Sequence, residues 1–209
     1  MLCRIYMTMG KFYLEKGVNV LEGLLIGLPD MLIFIILYGS LALGVFITVK
    51  LVKGFITTKQ INNRMLLIAL VFNVLNFYLI YDLMTTPPEI TSGNGNPFIP
   101  NILISFFLFI SFCVVFSLKV MNILVMKKVW LSLLFIVAAI AISWYSVISQ
   151  LDFVFAIKEA LYYPIGSWLS WWKSIHLNSL YFNSYTFLLG ISVSCLFAGV
   201  FVLVRKRFV

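Results

Sequence analysis

Five stretches of about twenty residues run with scarcely a charge, and they limit the fold more than any other feature. They are residues 31–49 ("MLIFIILYGSLALGVFITV"), 65–83, 102–120, 129–148 and 186–204. Each is long enough to cross a hydrocarbon layer of about 30 Å as a helix. In lipid the backbone must satisfy its own hydrogen bonds, which leaves helices or a closed barrel. The runs are continuous and do not alternate in ten-residue units, so they predict helices. Some 63% of the chain is apolar and 11% is charged. A soluble domain is nearer half and a quarter, and a globule of this size has too much surface to hide the excess. The expected fold is an all-α polytopic integral membrane helical bundle, with about five transmembrane helices and interfacial amphipathic helices beside them. It forms one membrane domain over residues 1–209.

In such a chain a net charge of +8 speaks to orientation and not to nucleic acid. Lys50, Lys53, Lys59 and Arg64 follow the first run, Lys119, Lys127 and Lys128 the third, and Arg205, Lys206 and Arg207 the last. Alternation puts these ten on one side. The other side takes Arg4, Lys11, Lys16, Lys158 and Lys173. Lys and Arg accumulate on the cytoplasmic face. The split predicts a cytoplasmic C-terminus and an extracytoplasmic N-terminus, in the plasma membrane of a prokaryote.

Residues 1–30 form an N-terminal interfacial segment. Lys11, Glu15, Asn19 and Glu22 recur at helical spacing opposite Tyr13, Leu21 and Leu24, which suits a helix lying at the membrane surface. Pro29-Asp30 marks a break, with Asp30 as the N-cap of the first span. Residues 85–100 are dense in Pro, Gly, Asn and Thr and predict an external loop. Residues 151–185 form an external aromatic link of two short helices. In its second half Trp168, Trp171, Trp172 and Ile175 recur at helical spacing, with Ser170, Lys173 and Ser174 opposite. Indole rings prefer the boundary where an apolar body meets a polar edge, so His176 is expected at the waterline.

Familiar chemistry finds little foothold. Cys3, Cys113 and Cys195 are widely spaced and suggest no metal site. A single histidine supplies neither a multi-histidine metal centre nor bis-histidine haem ligation. There is no GxxxxGK[ST] phosphate loop and no GxSxG elbow. No catalytic residue, metal or cofactor is expected. Polar residues inside a span are costly and often functional, which singles out Asn73 and Asn76, three apart on one helix face, and Asp82 near the end of that span. They are the candidate polar pathway. Trp168, Trp171, Trp172, Lys173 and His176 are the candidate interface for lipid or a partner. Small residues at 39–44 ("GSLALG") and 138–143 ("AAIAIS") permit close helix approach.

The expected partners are the lipid bilayer and other membrane protein subunits, with no nucleic acid. The leading expectation is a non-enzymatic membrane subunit of a larger complex tied to transport. Two alternatives stand beside it: a small oligomeric transporter or channel using Asn73 and Asn76, and a membrane-embedded enzyme acting on lipid through His176.

Overall fold

The computed structural model describes residues 30–58, 61–90, 95–161 and 174–207, with backbone only at 30–34, 36, 37 and 55–58. The chain divides into two compact units, residues 1–40 and 41–209. Of the first unit only the opening of a helix is described. The expected amphipathic helix at 11–28 lies outside the described residues, as do Trp168, Trp171, Trp172 and Lys173.

The described residues are helical with no strand. The elements are α1 (Asp30–Thr58), α2 (Asn63–Leu83), α3 (Ile99–Val125), α4 (Val129–Ala160), a 3-10 turn (Ile175–Leu177), α5 (Asn178–Tyr181) and α6 (Ser184–Arg207). Four apolar stretches are long enough to cross a membrane, three of them being α2, α3 and α4 and the fourth running from Ile175 through α6 to Arg207. The chain is an integral membrane protein. The run at 31–49 is helical within α1, which starts at Asp30 where the break was expected.

The helices outrun the apolar stretches because a helix need not stop where the hydrocarbon does. α1 carries on through Lys50 and Lys53 to Thr58, whose basic heads can reach the polar zone on long stems. α2 begins two residues early because the Asn62 side chain caps it, Oδ1 accepting from the Arg64 amide at 2.9 Å. α3 begins early too, with Pro100 in its first turn, where the missing N–H is harmless. The largest difference is α4. Its 32 residues span about 48 Å at the usual rise, so it projects well past the hydrocarbon. Residues 151–160, expected as a separate surface helix, are instead the last turns of α4. Nothing in "SQLDFVFAIKEA" breaks a helix, and Pro164 comes only after it ends.

The tightest helix pair is α4 against α6. α4 buries a narrow stripe of Ser132, Ala139 and Ser146, spaced seven apart as in a left-handed crossing. α6 answers with Ser192 and Gly199. Small side chains let the two backbones approach. Ser143 Oγ donates to Ser192 Oγ at 2.8 Å across the contact. α3 packs on the other flank of α6, burying Val120 and Leu124 with Ala198 and Val202. Within the second unit, α1 contributes Ile47 and Leu51 to a cluster with Ala69, Phe112 and Val115. Gly44 allows that approach, since a Cβ there would collide with the Phe72 ring and touch Leu108.

Charge divides between the two ends of residues 41–209. Lys119 Nζ donates to the Ile61 carbonyl at 3.3 Å, and Lys206 Nζ to the Leu124 carbonyl at 3.0 Å and to that of Lys127. These contacts gather the start of α2 with the ends of α3 and α6 at one basic end. At the opposite end the described residues carry Asp82, Glu89, Asp152 and Glu159 against Lys158.

Candidate functional site

The acidic end is closed by a polar cap that returns the chain from α4 into α6. Asn178, fully buried, is its centre. Its Oδ1 accepts from Asn96 Nδ2 at 2.7 Å, and its Nδ2 donates to the Met84 carbonyl at the end of α2. Asn96 Oδ1 in turn accepts from the Phe98 amide at 3.1 Å, and the preceding Gly95 turns the loop at φ 72°, a left-handed conformation that glycine adopts without strain. Asn183 caps α6, its Oδ1 accepting from the amides of Tyr185 at 2.9 Å and Thr186 at 3.0 Å. Its Nδ2 donates to Gln150 Oε1 on α4 at 3.0 Å, while Gln150 Nε2 donates to the Leu180 carbonyl at 2.7 Å. The end of α2, the starts of α3 and α6, and α4 at Gln150, ten residues before its end, thus take part in side-chain amide contacts. Buried groups of this kind are retained when hydrogen-bonded.

His176 belongs to this cap. It is 1% exposed, and its Nδ1 lies 2.9 Å from the Thr86 carbonyl. The 3-10 turn folds it inward under the loop that follows α2, so the chain by itself does not offer it to lipid or a partner.

Asn73 and Asn76 are also buried, on one α2 face with Ala69, Phe77 and Ile80. Asn73 Nδ2 donates back to the Ala69 carbonyl at 2.8 Å. Its Oδ1 and both polar atoms of Asn76 have no hydrogen-bond partner among the described residues. Asp82 does not join them. At about 100° per residue it lies roughly 180° around the helix from Asn73 and about 120° from Asn76, and it is half-buried. The three candidates therefore do not line one path along α2. A buried amide without a partner destabilises the fold. Asn76→Leu is expected to stabilise the protein by about 1 kcal/mol, read as a higher unfolding midpoint in detergent. A lower midpoint would mean that the amide has a partner in the assembled protein.

Beside the cap lies a cleft of about 560 Å³ between α2, α4 and the start of α6. Rings dominate its wall, among them Tyr78, Tyr81, Phe153, Phe182, Tyr185 and Phe187. Phe77, also on the wall, packs edge-on against Phe182 and Phe187 at 5.0 and 5.1 Å between centroids. Tyr81 stacks with Phe153 at 6.4 Å, and Phe153 meets Tyr185 at 6.3 Å. The Asp82 carboxylate interacts with the Tyr78 hydroxyl at the edge of this wall.

The amide cap and the cleft were not singled out from sequence, although one local signal was present. "NSYT" at 183–186 ahead of an apolar run is a helix-start signature. Nothing local points to Asn96 with Asn178, which are 82 residues apart. Against protein-family models, curated proteins and solved structures, the chain has no match.

Proposed function

We propose that the chain is a non-enzymatic membrane subunit that works inside a larger membrane assembly tied to transport. The observation that carries this reading is the outer surface of α4. That helix buries only Ser132, Ala139 and Ser146, and near its midpoint it exposes Trp144 at 69% and Tyr145 at 59%. In lipid-facing helices these residues favour the two membrane boundaries. Trp144 and Tyr145 stand near the outer end of the apolar run 129–148, and exposed rings there also suit a protein interface, in which aromatic residues are enriched. The tie to transport comes from the sequence, with its packing surfaces in place of reacting groups, and the cleft adds a binding space within the membrane-spanning part. The basic end is assigned to the cytoplasm on the distribution of Lys and Arg.

Purification in a mild detergent, followed by native mass spectrometry, tests the proposal. The expected result is a second polypeptide in fixed stoichiometry, with its recovery sharply reduced by Trp144→Ala combined with Tyr145→Ala. A chain that purifies as a monomer or as a homo-oligomer would overturn the subunit assignment.

A further inference from the structure

The aromatic cleft and the charge around it carry an inference that stands apart from the subunit assignment. Aromatic rings present a negative face, which attracts a cation held over it. Tyr81, Phe153 and Tyr185 form one contiguous set of rings on the cleft wall, and Phe77, Phe182 and Phe187 form another. Among the described residues, no lysine, arginine or histidine lines the cleft. The formal charge nearest the cleft along α2 is the Asp82 carboxylate, which lies outside the lining, adjacent to Tyr81 in the chain and interacting with Tyr78. The surrounding end of the molecule has the same sign among the described residues, with Asp82, Glu89, Asp152 and Glu159 outnumbering Lys158.

The cleft is open at the side. Val74, Tyr78 and Leu188 on its wall are 48%, 45% and 40% exposed, so it faces the surface that lipid covers in a spanning bundle. Its size falls within the usual range of small-ligand sites, roughly 300–1,000 Å³. An occupant must match an apolar aromatic wall, a negative edge and entry from the bilayer. A neutral hydrocarbon would leave the carboxylate unused, and an anion would meet it repulsively.

We infer that this cleft binds an amphiphilic organic cation, an ammonium or phosphonium centre bearing apolar groups, with its charge near Asp82 and its apolar groups against Tyr81, Phe153 and Tyr185. A quaternary centre has no N–H to satisfy; the wall supplies the ring faces that it prefers, and Asp82, one helical turn from Tyr78 and outside the lining, supplies the opposite charge.

Equilibrium dialysis of radiolabelled tetraphenylphosphonium against the whole protein in an uncharged maltoside detergent tests this, with tetraphenylborate as the anion of matching shape. The cation should bind saturably at one site per chain and the borate at least tenfold more weakly. Asp82→Asn should weaken the cation about tenfold and narrow the gap to the borate. Phe153→Leu keeps an apolar side chain while removing a ring face, and should weaken the cation several-fold without lowering the unfolding midpoint appreciably. Equal binding of the two ions, or cation binding unchanged in both variants, would overturn the proposal. Adding phosphatidylcholine to the micelles separates the sources. Weaker tetraphenylphosphonium binding there supports a trimethylammonium lipid headgroup as occupant, and unchanged binding supports a free cation; both uphold the cation site.

Discussion

Asn178→Ala should cost the folded protein about 3 kcal/mol, since buried polar groups stripped of a partner cost about 1–3 kcal/mol each. Two contacts disappear together: the acceptor for Asn96 Nδ2, at 2.7 Å, and the donor to the Met84 carbonyl. Both lie in a fully buried setting, where a lost hydrogen bond is not replaced by solvent. Asn178→Asp retains the acceptor but loses the amide donor, and should fall between alanine and the native protein. Reversible unfolding in mixed micelles measures the difference. A loss below about 0.5 kcal/mol, within the scatter of ordinary surface substitutions, would show that the cap does not hold the end of the bundle together.

Gly199→Leu should be comparably damaging through a different mechanism. A Cβ at that position would lie 2.6 Å from Ile136 Cγ1 and 3.1 Å from Cδ1. The contact belongs to the α4–α6 pair, and Ala198 and Val202 beside it are already buried. Overpacking a tight core typically costs about 1–3 kcal/mol, and a leucine here must either displace Ile136 or push the helices apart. Two comparisons isolate the cause. Gly54→Leu, where a Cβ meets nothing within 4 Å, should change stability little. Ile136→Ala placed alongside Gly199→Leu should restore part of the loss by opening the space. If both glycine variants behave alike, helix propensity and not close approach is responsible.

Much of the architecture could be read locally. The runs at 65–83, 102–120, 129–148 and 186–204 all became helices, with ends displaced by capping and by charged residues. Asn62, Pro100 and Asn183 explain why α2, α3 and α6 begin two or three residues ahead of their apolar runs. The continuation of α4 to Ala160 does not follow from hydrophobicity, because the backbone stays helical until a breaker intervenes. The spacing of nearby tryptophans says nothing of where the His176 side chain packs. Its burial depends on the Thr86 carbonyl, 90 residues away.

Sequence by itself determined the solvent, the helical class and the division of charge between the two ends. In lipid every backbone group must find its partner within the segment, so a long apolar run has one regular solution. Only the tertiary structure decided which polar side chains meet. Asn96 reaches Asn178, and Gln150 reaches Asn183, across loops whose composition encodes no pairing. It also decided that Asn73 and Asn76 face the interior without Asp82, and that rings from α2, α4 and α6 enclose one cleft. Helical periodicity specifies a face of a single helix. The identity of the neighbour on that face comes from packing among small residues such as Ser132, Ala139 and Gly199, where fractions of an ångström separate contact from collision.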